Sequence, residues 1–256
     1  PGAALEARLR LQQGRLRRAG RLPMGGFGAR SERELEAVVL PLLHAWQAAL
    51  AAHPRPLQRQ RLHFEAAGGR MEDWLDQLHA GAEADAPPTW LALDSARLLH
   101  DPKKQDLRAD RMLLPWVRSL LAAAGGLPAR GLVVGRDASV AIAPLAAEPA
   151  RATLARLLQA WREGLDAPLP LPLRTALAQL EGAHPQRCYE GHDHAHGEVE
   201  EACLARLYPD FEALSADGRF AELAERLYAP LRDWIAAHTA VLAHPDPSAA
   251  SEERRA

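Results

Sequence analysis

The sequence predicts an α/β fold in which helices pack on a mixed sheet. Three observations carry this expectation. Apolar residues recur at helical spacing up to about residue 52, alternate with a period of two from about residue 61, and return to helical spacing after about residue 144. Gly68-Gly69 splits the alternating window as a two-residue hairpin turn does. Leu113, Trp116, Val117, Leu120 and Leu121 fall at i, i+3, i+4, i+7 and i+8, the stripe of a helix lying against a sheet. The elements read ααβββαββα followed by helices alone, an order that suits a layered α/β core.

From the N-terminus, Leu5, Leu9 and Leu16 share one side of a helix over 2–20, while Arg10, Arg17 and Arg21 share another. The turn Leu22-Pro23-Met24-Gly25-Gly26-Phe27-Gly28 ends it. Ser31 with Glu34 reads as a capping box that starts a second helix, from about Glu32 to Ala52, with Pro41 as a kink. Leu62, Phe64 and Ala66 define a strand. Met71 to His79 reads as its returning partner, with Trp74, Asp76 and Leu78 on one face. After a loop over 80–88, Trp90 to Asp94 forms a third strand, and the charged stretch 101–109 reads as loop. The central helix ends at Gly125-Gly126. Leu132 to Gly135 and Val140 to Ala143 make a second hairpin. Helices are expected at about 146–165, 173–182, 198–208 and 218–243, with the Pro-alternating 167–172 as a stiff connector. Residues 1–244 are expected to be one domain with a helical appendage, and 245–256, without an apolar anchor, a disordered tail.

The 256 residues carry 31 basic and 33 acidic side chains, a net charge of −2, which excludes a globally basic nucleic-acid binder. Arg supplies every cation except Lys103 and Lys104. Cys188 and Cys203 form no disulfide framework and match no zinc spacing, so free thiols in a reducing, cytoplasmic setting are expected. The uncharged apolar run Ser119 to Ala129 has 11 residues and falls short of the roughly 18 that a span needs, and no membrane partner is expected. No signal peptide is visible. The chain opens at Pro1 without an initiator Met, and a segment of a longer protein is expected.

A two-metal nuclease needs an Asp on one strand and, on the next, an acid followed two positions later by Lys, because carboxylates hold Mg²⁺ and the amine orients the attacking water. Asp76 occupies the first position. The following triplet reads Ala92-Leu93-Asp94, so Ala replaces the acid and Asp replaces the Lys. The expectation is a degenerate site without catalytic residues and without a resident metal or other cofactor. The alternative is a metal-dependent DNA nuclease using Asp76, Glu65 and Asp94. A third reading is a metal-binding module on His192-Asp193-His194-Ala195-His196 with Cys188 and Cys203 nearby. For DNA phosphates the candidates are Arg10, Arg17 and Arg21 on the first helix, and Lys103 and Lys104 in the second basic cluster. No Walker A loop, dinucleotide fingerprint, nucleophile elbow or H-E-x-x-H is present.

Several stretches resemble one family. Leu22-Pro23-Met24-Gly25-Gly26-Phe27-Gly28 resembles its LP-x-G-x-x-G turn. Ala160-Trp161-Arg162-Glu163-Gly164-Leu165-Asp166-Ala167-Pro168-Leu169 resembles its YREG-x-x-x-PL segment. Tyr189-Glu190-Gly191, Tyr208-Pro209-Asp210-Phe211 and Leu223-Ala224-Glu225-Arg226-Leu227-Tyr228-Ala229-Pro230-Leu231 resemble its closing helices. The family is RecC, the gamma chain of exodeoxyribonuclease V, and the likeness is to its C-terminal region. The resemblance implies a core of the PD-(D/E)xK restriction-endonuclease type that is not itself the nuclease. It further implies work inside a helicase–nuclease complex for recombinational DNA repair. The partners it implies are the beta and alpha subunits and the DNA within the complex, where this region helps to split the duplex.

Overall fold

In the computed structural model the described residues are 2–66, 68–81, 86–192 and 195–244. Helices α1 (Gly2–Arg18) and α2 (Gly25–Ala52) open the chain. The strand β1 (Arg55–Pro56) is followed by a ribbon, β2 (Gln60–Ala66) with β3 (Gly69–Leu75), and then by β4 (Leu78–Ala80) and β5 (Thr89–Leu93). A short hairpin, β6 (Leu99–Asp101) with β7 (Asp106–Leu107), leads into α3 (Ala109–Ala124), β8 (Arg130–Val134) and β9 (Ser139–Ile142). Then come α4 (Ala147–Asp166), α5 (Leu173–Leu180), α6 (Pro185–Glu190), the ribbon β10 (Gly191–His192) with β11 (Ala195–His196), α7 (Ala202–Leu207), α8 (Phe211–Ser215), α9 (Arg219–His238) and β12 (Thr239–Leu242).

A six-stranded mixed sheet in the order β1-β4-β5-β8-β9-β12 lies at the centre. β5 and β8 run parallel, with Trp90 beside Gly131 and Ala92 beside Val133, and α3 makes the crossover between them. The remaining ladders of this sheet are antiparallel. Strand alternation sorts β8 between two layers. Val133 joins Trp90, Val140 and Ile142 under Met112, Trp116, Leu120 and Leu121 of α3, Leu154 of α4, and Leu231 and Trp234 of α9. Leu132 and Val134 face the other way, onto Leu42, Ala45 and Ala49 of α2.

Of the predicted α3 stripe, Trp116, Leu120 and Leu121 are buried and Leu113 and Val117 partly buried, while Met112, Pro115 and Ser119 extend the buried face to one side. Pro115 brings no N–H to the helix, and its own carbonyl accepts an additional bond from Ser119 Oγ at 2.9 Å. Gly126, at φ +80°, ends the helix, and the Leu127 N–H returns to the Ala122 carbonyl. Two stretches that resemble the family meet in space: Glu163 on α4 and Arg226 on α9 form an ion pair at 2.6 Å. The guanidinium holds the Glu163 carboxyl below its usual range.

The structure departs from the sequence expectations at several places. The alternating stretch 71–79 is not one strand, because Gln77 adopts φ +51° and the chain turns a corner between β3 and β4. The β2–β3 ribbon consequently stands outside the central sheet and packs Leu62, Phe64, Met71 and Leu75 toward α3 and α4. The last helix stops at His238, and Thr239 to Leu242 instead pair with the free edge of β9. Ser31 caps nothing: α2 begins six residues earlier, after extended Met24, and Glu34 pairs with Arg30. The stretch 101–109 holds the β6–β7 turn and the start of α3 rather than loop alone. The expected tail, 245–256, lies outside the described residues.

Gly131 lets the Trp90 indole lie against β8: a Cβ there would come within 2.3 Å of Trp90 Cζ2. Gly131→Ala is therefore expected to cost about 1–3 kcal/mol through overpacking. The check is a lowered urea midpoint at unchanged m-value. Tyr228 of α9 packs against three of the apolar clusters. Burial, helped by Glu198, pushes its phenol up to about 12. The unfolded chain releases this proton near pH 10, so stability is intact below pH 10 and declines toward pH 12 by about 1.4 kcal/mol per pH unit for this group. Tyr228→Phe should flatten that part of the decline in urea midpoints measured against pH.

Candidate functional site

The C-terminal end of a parallel strand beside its crossover helix is where an open α/β sheet offers a crevice. Here the crevice is a cleft of about 400 Å³ at the end of β5, lined by Trp90, Ala92, Leu93, Asp94, Arg111 and Arg118 among others. The β4–β5 ladder continues past its last paired residues, since the Leu91 N–H donates to the Gln77 carbonyl at 3.0 Å. Asp76 directly precedes that corner. The three positions singled out for nuclease chemistry, Asp76, Ala92 and Asp94, thus fall at one end of the β4–β5 pair. Glu65 does not join them. It pairs with Arg70 at the far end of the β2–β3 ribbon, five residues beyond the β3 end that leads to Asp76, or about 17 Å along an extended strand.

Most charges around this cleft are engaged by local partners. Asp94 is half-buried, and its Oδ1 accepts the Ala96 N–H at 2.9 Å, a local turn that closes the strand end. Asp110 accepts from Arg108 at 2.9 Å and lies 3.6 Å from Arg111. Arg118 reaches Asp73 on β3 at 2.9 Å. Asp76 is exposed and Ala92 brings no donor atom. Among the described residues no group of three His, Cys, Asp or Glu side chains is arranged to hold a metal ion. The set Asp76, Glu65 and Asp94 is accordingly not brought together in this arrangement, and the nuclease alternative finds no support in it.

The other candidates separate in the same way. In the histidine segment, Asp193 and His194 lie outside the described residues. His196 is held by Glu200 at 2.7 Å. Cys188 is partly buried, and that burial pushes its thiol up, away from thiolate reactivity. Cys203 is exposed. Of the arginines on the first helix, Arg17 makes a two-point contact with Glu32 of α2, and Arg10 stands 3.7 Å from Glu6 on its own helix. Arg21 is exposed and has no ion pair among the described residues. Lys103 and Lys104 are exposed on the β6–β7 turn, which Asp101 shapes by accepting the Lys103 N–H at 2.9 Å.

Two arrangements were missed by reasoning from sequence. Arg59 lies over the half-exposed Trp74 ring at 4.3 Å, which required knowing that β2 and β3 leave the sheet together. Glu198 caps α5 from 23 residues away, accepting the Thr175 N–H at 2.7 Å and its hydroxyl at 2.8 Å. No local capping signal announces an acceptor that distant.

The family model described as the RecC C-terminal domain matches residues 3–184. No curated protein matches the chain. If the cleft holds no divalent metal, 10 mM Mg²⁺ or Mn²⁺ should leave the melting temperature unchanged. Asp94→Ala should destabilise by about 1 kcal/mol through the lost turn bond, equally with and without metal. Differential scanning fluorimetry reads both effects.

Proposed function

The chain belongs to the RecC family through its C-terminal domain, and from that membership we propose that it is a non-catalytic, nuclease-like module of the exodeoxyribonuclease V gamma subunit. Its work is to join the beta and alpha subunits and to guide DNA where the duplex is split during recombinational double-strand-break repair. The observation that carries the non-catalytic part is the end of the β4–β5 ladder. A PD-(D/E)xK-type centre needs an acid at position 92 and a Lys at position 94. This chain has Ala92, and an Asp94 already bonded to the Ala96 N–H.

For DNA guiding we assign Lys103 and Lys104. Both project from a tight turn and are exposed without an ion pair among the described residues. A pair of point charges on a turn suits transient phosphate contact without base readout. The arginines of α1 we assign instead to assembly, because Arg17 is engaged with α2 and its neighbours stand among exposed apolar side chains. The setting of the chain is, on this reading, the cytoplasm.

The test uses the full gamma subunit assembled with the beta and alpha chains. Asp76→Ala is expected to leave DNA cleavage within twofold of wild type. Loss of cleavage would reinstate a catalytic role for this region. Lys103→Ala with Lys104→Ala is expected to weaken DNA binding without sequence preference and to reduce the log–log salt slope by about one per lost phosphate contact. An unchanged slope would remove DNA guiding from this turn.

A further inference from the structure

The first two helices carry surface that the rest of the chain does not cover. Leu35, Val38, Leu42, Ala45 and Ala49 of α2 follow one another at alternating spacings of three and four, the seam that receives another helix. The C-terminal part of this seam is buried on β8. The N-terminal part runs on without cover, leaving Leu35 39 % and Val38 37 % exposed. α1 covers the seam only at its start, where Gln13 donates to the Glu32 carbonyl and Arg17 holds the Glu32 carboxylate. Of the described side chains on α1, Gln13 alone is buried. A helix of 17 residues that buries one side chain is marginal in water by itself. The turn between the helices adds Met24 at 92 % and Phe27 at 77 % exposure. It is a built turn, since a Cβ on Gly28 would strike the Pro23 carbonyl oxygen at 2.1 Å.

The charge on this pair is strongly one-sided. Residues 1–30 contain seven arginines and a single acid, Glu6, in a chain whose net charge is −2. Arg8, Arg15, Arg18 and Arg21 are exposed and have no ion pair among the described residues. A surface meant for phosphates alone has no use for a leucine–valine seam, because nucleic-acid interfaces are polar. A membrane-bound helix pair would not set Glu32, Glu34 and Glu36 beside that seam. An apolar seam on α2 next to a helix that carries unpaired arginines has the mixed composition of a protein interface.

We infer that α1 and α2 receive an acidic amphipathic helix from another subunit, which lies along the Leu35–Val38 seam and meets the α1 arginines with its carboxylates. The inference rests on the assembly reading above and names the chemistry of the partner. A third helix laid there converts an exposed helix pair into a three-helix bundle. Its apolar positions repeat at three and four, and its flanking positions carry Asp or Glu.

The experiment uses the full gamma chain co-expressed with the beta and alpha chains, with a photo-crosslinking phenylalanine analogue at position 35 or 38. The expected product joins this position to an acid-rich, helically patterned segment of the beta or alpha chain. Crosslinks to DNA, to a second gamma chain, to another part of the same gamma chain, or to nothing overturn the inference. So does capture of the gamma chain by phosphatidylglycerol vesicles through this face. In parallel, Leu35→Glu with Val38→Glu should raise the dissociation constant for the partner at least about tenfold, a loss of about 1.4 kcal/mol. The melting temperature of the free gamma chain should change little, because both side chains are partly exposed. Unchanged affinity overturns the inference as well. If the wild-type gamma chain does not assemble with the beta and alpha chains, the subunit reading itself fails. If it assembles and the crosslinks land elsewhere, only the proposed seat on α1 and α2 fails.

Discussion

The contact on which the rest of the structure depends is Trp90 against Gly131. Two adjacent parallel strands separated by one crossover helix must share the space beneath that helix. Here one strand fills it with an indole and the other leaves it empty. Trp90 and Trp116 are both 1 % exposed, and Met112 and Leu154 are fully enclosed around them. α3 can therefore lie close to the sheet, and α4 and α9 can close over α3. The packing is tight enough that the Trp90 Nε1 finds no acceptor among the described residues. Leaving such a donor unpaired costs about 1–3 kcal/mol, a penalty the apolar contacts of the ring outweigh.

That same unit also decides what the cleft at the end of β5 can do. In an α/β sheet the strand end beside the crossover helix is a good place for chemistry because the scaffold holds it rigid. In this chain that strand end is present, and its position 92 carries no ligand atom. Three of the carboxylates near the cleft have local partners, Asp94 a backbone amide, Asp110 two arginines and Asp73 Arg118, while Asp76 is exposed. A divalent ion would have to displace those partners and would find no donor at Ala92. The Asp73–Arg118 pair has a further consequence, since it ties the β2–β3 ribbon to α3. Charges of a kind that elsewhere handle a metal here serve to hold a surface ribbon to the core.

The elements that were legible in the sequence are those whose partner lies within one turn or one hairpin. The α3 stripe, the Gly125-Gly126 cap, the β8–β9 hairpin and the start of α4 depend on local spacing, and each forms about where that spacing predicts. The left-handed Gln77 leaves only a faint trace in the pattern, the spacing of three between Leu75 and Leu78 that breaks the period of two. The pattern could not reveal β12. Thr239-Ala240-Val241-Leu242 continues a helical run in composition and becomes a strand only because β9 offers an unpaired edge. The candidate site was legible by type and only partly by place. Positions 76, 92 and 94 do fall at one strand end, whereas Glu65 entered the set because its distance along the ribbon is a tertiary fact.

The same distinction between local and long-range causes explains the first two helices. The spacing of Leu35, Val38, Leu42, Ala45 and Ala49 is local, but which half of that seam is covered depends on where the sheet ends. β8 is five residues long, about 17 Å, and α2 is 28 residues, about 42 Å, so one strand cannot shield the whole helix. α1 makes up only part of the difference, through Gln13 and Arg17. A helix that outruns its sheet must be shortened by polar substitution or covered by something else. In this chain the apolar seam persists past the sheet, and the free arginines lie on the adjoining helix α1 rather than within it. The sequence pattern of α2 is therefore consistent with a core that the described residues only partly complete.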